Sequence, residues 1–536
     1  MKPLKCFNIA GPCNSSEHYM LPVFPRLPSV IEMVDKKFYF ILHSPRQSGK
    51  TTYLITLTDM INAEGQYYAL YCSLEPLEGV ADDNEAMTRV VSLICDSLAT
   101  SEIEIFQRLL EEYEPSNRLT AATKVKNILN FLCSEIDKDL VVFFDEADCL
   151  TGPSLITFLR QVRLGFNTRS RNRSSKFPRS IALVGMRNIR DYLASNHPET
   201  SGQHLASPYN IVSERLTLAN FTQDEIGCLY RQHTESTGQV FDDGAIGRAC
   251  YWTEGQPWLV NALAYEIVER QIKGNFSAAI SIANVDQAAK DLILCNDTHF
   301  DSLKARLNEF RVRKVMEPIV VSAGNMPFGL LDDDISYVFD LGLLKKDDKN
   351  NLNYLPSNPI YKEVIARALS RDIQLSMPTS LANRWMGETT MDMSGLLRAF
   401  QIYWEETAEL LKDKTGEEAN DNAFKTNENL VILVLYAFLQ RVLNGGAEIT
   451  REYALGRLRV DICITYKEHR YPLEVKIKGY KSEADNMEQL LGYMDRCGSS
   501  VGWLVVCDKD LSKTWKDKLT WETKTKSGQT IHVIGC

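Results

Sequence analysis

The chain has 536 residues, more than one hydrophobic core sustains, so three or four domains are expected. Apolar residues at 44% and charged residues at 24% suit an ordinary globular protein, and a net charge of -10 excludes bulk coating of nucleic acid while leaving room for a local basic channel. The longest apolar run, Leu430 to Leu439, is about half of what crosses a bilayer, and the opening MKPLKCFNIAGPC lacks the apolar core of a secretion signal, so no membrane partner and a cytoplasmic location are expected.

Thirteen cysteines are scattered without a CxxC pair, which reads as reduced thiols and not as a zinc site. Residues 1–36 form a strap: Gly11-Pro12 marks a loop, and Pro22, Pro25 and Pro28 keep the chain extended. It either crosses the surface or touches a nucleotide base. The run Lys37 to Leu42 then reads as a strand, and Thr52 to Leu57 begins a helix. Between them lies Ser44-Pro45-Arg46-Gln47-Ser48-Gly49-Lys50-Thr51-Thr52. Strand, tight loop and helix in that order are the setting of a phosphate-binding loop, in which backbone N–H groups and the positive helix end form an anion site. Lys50 would reach the β- and γ-phosphates of ATP, and the Thr51 hydroxyl would ligate Mg²⁺. The pattern GxxxxGK[ST] begins with glycine where this chain has Ser44. Serine disfavours positive φ, so the loop must begin along a different path.

A helix to about Ala63 and a strand from Tyr67 to Leu74 follow. Helical spacing then runs through Val90, Val91, Ile94 and Leu98, and again through Val125, Ile128, Leu129 and Leu132. Leu140 to Phe144 reads as a buried parallel strand with acids at its C-terminal edge. There Asp145 can hold the Mg²⁺ hydration shell and Glu146 can polarise the attacking water. The strand Ser180 to Val184 ends in Gly185-Met186-Arg187-Asn188, which makes Arg187 and Asn188 candidate sensors of the γ-phosphate. Arg160, Arg163, Arg169, Arg171, Arg173, Lys176 and Arg179 form a basic run without acids. It reads as a nucleic-acid contact, as a source of an arginine finger for a neighbouring subunit of a homo-oligomer, or as a solvated loop.

FNIAGPCNSSEHYM, SPRQSGKTT, VVFFDEAD, SPYNIVSERLTLANFTQDEI and TEGQPWLVNALA together resemble the bacterial AAA-like ATPases of the signal-transduction (STAND) type, over roughly residues 5 to 270. The resemblance implies that Gly255-Gln256-Pro257 lies in a helical lid and packs near the nucleotide, with Pro257 among the nucleotide-binding residues. It also implies that Gly11, Pro12 and His18 sit close to the base, and it tolerates Ser44. The expected order is a P-loop core over 37–221, a lid over 222–299, a winged-helix-like module over 300–372 and a linker over 373–394. The module rests on a hairpin of Leu343–Lys346 with Leu352–Leu355. Asp332, Asp333, Asp334 and Asp340 before that hairpin would repel phosphates, so the module reads as a scaffold.

Residues 395–536 form the last domain. Arg459 to Tyr466 and Tyr471 to Lys478 alternate as strands about a polar turn at Lys467-Glu468. That register sets Asp461 opposite Glu474, roughly 5 Å apart at Cβ, with Lys476 on the same face. Two carboxylates and a lysine on one face either bridge a divalent metal or form a routine salt bridge. The segment is similar to the PD-(D/E)XK nuclease superfamily over roughly residues 420 to 510. That resemblance rests on Glu428, on Asp461 after GRLRV, on Glu474-Val475-Lys476, on Gln489 and on Tyr493; Val460 stands where the name-giving proline would be. It implies catalysis by Glu428, Asp461, Glu474, Lys476 and Gln489, with Mg²⁺ or Mn²⁺ at Asp461 and Glu474. From Ala447 onward 15 basic residues face 13 acids, a weak bias toward an anionic partner such as nucleic acid. The fold class expected is α/β: a P-loop parallel sheet with helical lid and winged helix, then an α/β restriction-endonuclease-like domain. The function expected is an ATP-driven switch governing a metal-dependent nuclease, with a non-cutting signalling or scaffolding ATPase as the alternative.

Overall fold

Strand residues of the first sheet alternate between two cores, which is why its strands read as unbroken apolar runs. The sheet comprises β1 (Tyr39–His43), β2 (Tyr68–Ser73), β3 (Leu140–Asp145), β4 (Ser180–Gly185) and β5 (Val212–Thr217). On one face Phe40, Leu42, Val141, Phe143 and Val184 pack against Tyr53, Leu54, Leu57 and Ile61 of α1 (Lys50–Glu64). On the other, Tyr39, Ile41, Val142, Phe144 and Leu183 meet helices α2 (Asp83–Thr100), α3 (Lys124–Glu135) and α4 (Gly152–Arg171). The strand order is β2-β3-β4-β1-β5 and every pairing is parallel. The loop after β1 and the acids after β3 therefore emerge at the same sheet edge, as in a P-loop fold.

This computed structural model describes residues 5–22, 26–27, 29–113, 120–171, 176–185, 212–294, 298–321, 333–347, 350–375, 384–413, 428–443, 446–455, 458–479, 482–508, 510, 512–526 and 528–536. The chain divides into two units. The first holds Met1–Cys295, Asp333–Leu344 and Ser357–Ile360; the second holds Asn296–Asp332, Lys345–Pro356 and Tyr361–Cys536. Among the described residues no helix is long and apolar enough to cross a membrane. The twelve described cysteines are all free thiols.

The first unit continues into four helices: α5 (Gln223–Thr237), α6 (Asp243–Thr253), α7 (Pro257–Tyr265) and α8 (Ile282–Leu294). Thr222 and Glu225 form a reciprocal capping box at the start of α5, and Gly238 ends it in a left-handed turn. Gly255 sits at φ 71° between α6 and α7, where a Cβ would lie 1.8 Å from the Phe221 carbonyl oxygen.

The second unit carries a mixed sheet of order β12-β13-β11-β10-β9-β8. Its strands are β8 (Glu448–Leu455), β9 (Leu458–Tyr466), β10 (His469–Ile477), β11 (Val501–Cys507), β12 (Trp521–Lys526) and β13 (Gln529–Gly535). β10, β11 and β13 run parallel, and the remaining pairings are antiparallel. Helix α9 (Met393–Asp413) and helix α10 (Glu428–Leu443) precede the sheet, and α11 (Glu483–Cys497) packs on it through Leu490 and Met494 against Cys463 and Leu504.

The hairpin of β6 (Leu344–Asp347) and β7 (Asn350–Pro356) forms, and residues 300–372 fall partly in the first unit and partly in the second. Gly342 lies so close to Pro45 that a Cβ would come within 2.4 Å of it, while the Val320 carbonyl accepts from buried Arg451 at 2.8 Å. Part of the expected linker is also structured. The helix Pro359–Leu375 runs into it, and the turn from Trp385 to Asp392 is tied to the second sheet by Met391 N–H to Tyr471 Oη at 3.0 Å and Tyr466 Oη to the Gly387 carbonyl at 2.8 Å.

Gly255→Ala tests the tight turn into α7. Overlap with a backbone carbonyl and an unfavourable φ should together destabilise the first unit on the order of 3 kcal/mol. Urea unfolding followed by fluorescence reads it, and a midpoint equal to the parent's would contradict the geometry.

Candidate functional sites

The loop from Ser44 to Gly49 reverses the chain between β1 and α1 using two left-handed residues, Gln47 at φ 60° and Gly49 at φ 85°. Ser44 is not among the positive-φ residues, which is why a serine serves there. It is buried, its N–H reaches the Gly185 carbonyl at 3.3 Å, and its hydroxyl donates to the Leu218 carbonyl at 3.1 Å. Ser48 is buried and Arg46 is exposed.

Lys50 is only 5% exposed, and its ammonium donates to the carbonyls of Ser44 at 2.8 Å and Pro45 at 3.0 Å. Burial pushes its pKa down, against the pull of Glu146 and Asp145. Asp145 is buried at the end of β3 and takes three donors: Thr51 Oγ1 at 2.8 Å and Tyr71 Oη at 3.1 Å on Oδ2, and the Glu146 N–H at 3.0 Å on Oδ1. Glu146 adopts the left-handed conformation at φ 51°, and burial raises its carboxyl to about 7 although Lys50 opposes the shift. A hydroxyl and a carboxylate beside an anion cradle form a hard-oxygen set with few protein ligands. That set fits Mg²⁺, which keeps several waters and phosphate oxygens.

The lid reaches this loop through Gln256. Its Nε2 donates to the Gln47 carbonyl at 3.3 Å, while its Oε1 caps α7 by accepting from Leu259 N–H at 2.5 Å. Pro257 is buried at the first position of α7. The strap also arrives here. Cys13 N–H donates to Thr52 Oγ1 at 3.0 Å, Trp258 Nε1 donates to the Ile9 carbonyl at 2.8 Å, and Phe7 and Tyr19 pack around His233. His18 accepts from the Asn14 N–H within the strap itself, at 2.9 Å. Arg187 and Asn188 lie outside the described residues. Two members of the basic run are structural. Arg169 donates to the carbonyls of Pro178 and Arg179 and lies over the Tyr39 and Phe166 rings, and Arg179 pairs with Asp139 at 2.6 Å. Neither is a free finger. Tyr71 escaped sequence reasoning because its contact depends on strand register, which no local pattern encodes; Gln256 was named only within the segment that the resemblance sets near the nucleotide, without its contact to Gln47.

In the second unit, β9 and β10 turn at Lys467, φ 54°, and Leu473 pairs with Ile462, so that Glu474 falls opposite Asp461. The Val475 N–H donates to Asp461 Oδ2 at 2.8 Å. Lys476 Nζ stands 2.8 Å from Glu474 Oε1 and 3.4 Å from Asp461 Oδ2. Gln489 of α11 donates to Glu474 Oε1 at 2.7 Å. The Glu474 side chain is 2% exposed against 23% for Asp461, so the group opens to solvent through Asp461. Burial, reinforced by the charge of Asp461 and opposed by Lys476, raises the Glu474 carboxyl to about 7. Glu428 is the first residue of α10, and its side chain lies outside the described residues. Tyr493 is buried one turn beyond Gln489. Among the described residues no group of three or more His, Cys, Asp or Glu could hold a metal. Asp461 and Glu474 would thus supply two hard oxygen ligands, suited to Mg²⁺ or Mn²⁺, and water or substrate would supply the others.

No protein-family model matches the chain, and no curated protein matches it. Among solved structures, a Walker-type ATPase of Pyrococcus abyssi aligns at 13% identity and TM-score 0.46, over 67% of this chain and 99% of that one. The ORC2 protein of Aeropyrum pernix aligns at 15% identity and TM-score 0.39, over 66% and 92%. The RuvB Holliday junction branch migration motor of Thermotoga maritima aligns at 16% identity and TM-score 0.34, over 64% and 93%. At such identities and scores the likeness carries no statement about activity, substrate or partner.

The raised Glu474 carboxyl sets a proton count for metal binding. A divalent cation requires the carboxylate, so binding at pH 6 should release close to one proton, and binding at pH 8 should release about none. Calorimetry of Mn²⁺ binding in buffers of different ionisation enthalpy measures this, and equal proton release at the two pH values would contradict it.

Proposed function

We propose that this chain is an ATP-binding and ATP-hydrolysing switch of the STAND type whose C-terminal unit is a metal-dependent PD-(D/E)XK nuclease acting on nucleic acid. Defence against foreign nucleic acid is the role this pairing suits. The observation that supports it is that one lysine lies between loop carbonyls just after β1 and another between carboxylates of β9 and β10, in the pattern each chemistry needs. Lys50 would bind the β- and γ-phosphates, Thr51 and Asp145 would hold Mg²⁺, and Glu146, with its carboxyl near neutrality, would take the proton of the attacking water. Asp461 and Glu474 would hold a further metal ion, whose charge would serve to polarise a phosphodiester. Lys476 would stabilise charge on the phosphate, and Gln489 would fix the Glu474 rotamer.

Control by nucleotide is part of the proposal. Gln256 and the strap touch the phosphate loop, so occupancy of the loop can change how the lid sits. ATP shifts such a switch only by binding one state more tightly than the other. One observation favours a second reading, a signalling or scaffolding ATPase whose C-terminal unit binds without cutting. Lys476 already balances both carboxylates, so that network is complete without a metal.

Lys50→Ala should weaken the binding of a fluorescent ATP analogue about ten- to a hundredfold, the scale of one buried charge-assisted contact. Unchanged affinity would mean the loop is misassigned. Asp461→Ala should stop Mg²⁺-dependent cleavage of nucleic acid while phosphate release from ATP continues. Cleavage that survives this change points to another site or to a contaminant, and a parent that binds nucleic acid without cutting it favours the second reading.

A further inference from the structure

Asp145 has a donor that the phosphate-loop motif does not account for. β2 pairs with β3 in parallel, with Tyr71 beside Phe143 and Ser73 beside Asp145. Tyr71 thus starts two residues short of the acid, about 6.6 Å along the strand, a distance that a tyrosine side chain spans. Its hydroxyl ends 3.1 Å from Asp145 Oδ2, the same oxygen that accepts from Thr51 at 2.8 Å. We propose that Tyr71 is a positioning residue of the phosphate site: its hydroxyl holds the Asp145 carboxylate in the rotamer that keeps the Thr51 hydroxyl ready for a divalent cation. This rests on reading the loop as a Mg²⁺-nucleotide site.

A threonine hydroxyl has one proton, and Thr51 gives it to Asp145. Its lone pairs are then left for a cation, but only while Oδ2 stays where it is. The Glu146 N–H fixes the other oxygen, and Thr51 belongs to α1, an element outside the sheet. Tyr71 instead sits on a strand hydrogen-bonded to β3 from Tyr68 beside Leu140 to Ser73 beside Asp145. Its donor therefore moves with the acid. Asp145 is 1% exposed, so no bulk water replaces a lost donor. The ring itself packs on the core around α1, so packing alone would be preserved by phenylalanine.

Tyr71→Phe is therefore the test, with fluorescent ATP binding titrated against Mg²⁺. The Mg²⁺ concentration for half-maximal effect should rise about tenfold, the usual scale for removing a partner behind a metal ligand. Binding in EDTA should stay at the parent's value, and the melting temperature should fall only by what one lost buried hydrogen bond costs. In an Asp145→Asn background the same change should add little, because the coupled partner is gone. A Mg²⁺ titration that superimposes on the parent's would overturn the proposal, as would equal loss of affinity with and without Mg²⁺. A parent whose nucleotide binding ignores Mg²⁺ altogether would instead overturn the phosphate-site reading beneath it, and this outcome is visible before any variant is made.

Discussion

A lysine ammonium taken out of water must be surrounded by oxygen atoms, and both candidate sites are arranged around that requirement. Lys50 meets it with two loop carbonyls, and Lys476 meets it with two carboxylates. The carbonyls follow directly on β1, and the carboxylates stand within β9 and β10, where the ladder fixes the backbone. A loose oxygen would leave a buried charge uncompensated, at a cost of several kcal/mol per ion. Neither lysine is committed for good. On the proposed reading a phosphate would take over the role of the loop carbonyls at Lys50, and a cation at the carboxylate pair would release Lys476 toward a phosphate oxygen. The same electrostatics that hold the protein together thus leave each site ready to exchange partners.

Both glutamates near these lysines have carboxyls raised to about 7, and for the same first cause. Burial disfavours the anion, and the nearby ammonium only partly restores it. Carboxyls near neutrality can hold or accept a proton under ordinary conditions. They also carry a shared cost: as pH rises from the ordinary carboxylate range through about 7, each must ionise in a poor environment, and folding loses stability. Ligands that supply positive charge relieve this. Glu146 adds backbone strain, since a non-glycine residue in the left-handed region is uncommon and persists when its surroundings fix it.

Sequence pattern shows the strands and turns well where burial is two-sided or a turn is short. Leu140 to Phe144 has no polar break, so the strand and its terminal acid are plain. The turn at Lys467-Glu468 sets the register that faces Asp461 with Glu474, because a two-residue turn leaves little freedom. What escapes is whatever depends on elements far apart in the chain. Tyr71 reaches Asp145 only through the pairing of β2 with β3, 74 positions apart for the two side chains. Gln256 meets Gln47 across 209 positions. Edge strands also escape: β12, WETKTK, alternates threonine with charge and has no buried residue, so it reads as a solvated segment.

The central claim is that the nucleotide state of the phosphate loop governs what the carboxylate pair does. The most direct measurement is the rate of Mg²⁺-dependent nucleic-acid cleavage by the parent chain and by Lys50→Ala, each with and without saturating ATP. The account predicts that ATP changes the parent's rate and leaves the variant's rate where it was. Equal rates in all four conditions would contradict it, even if each site proved active by itself.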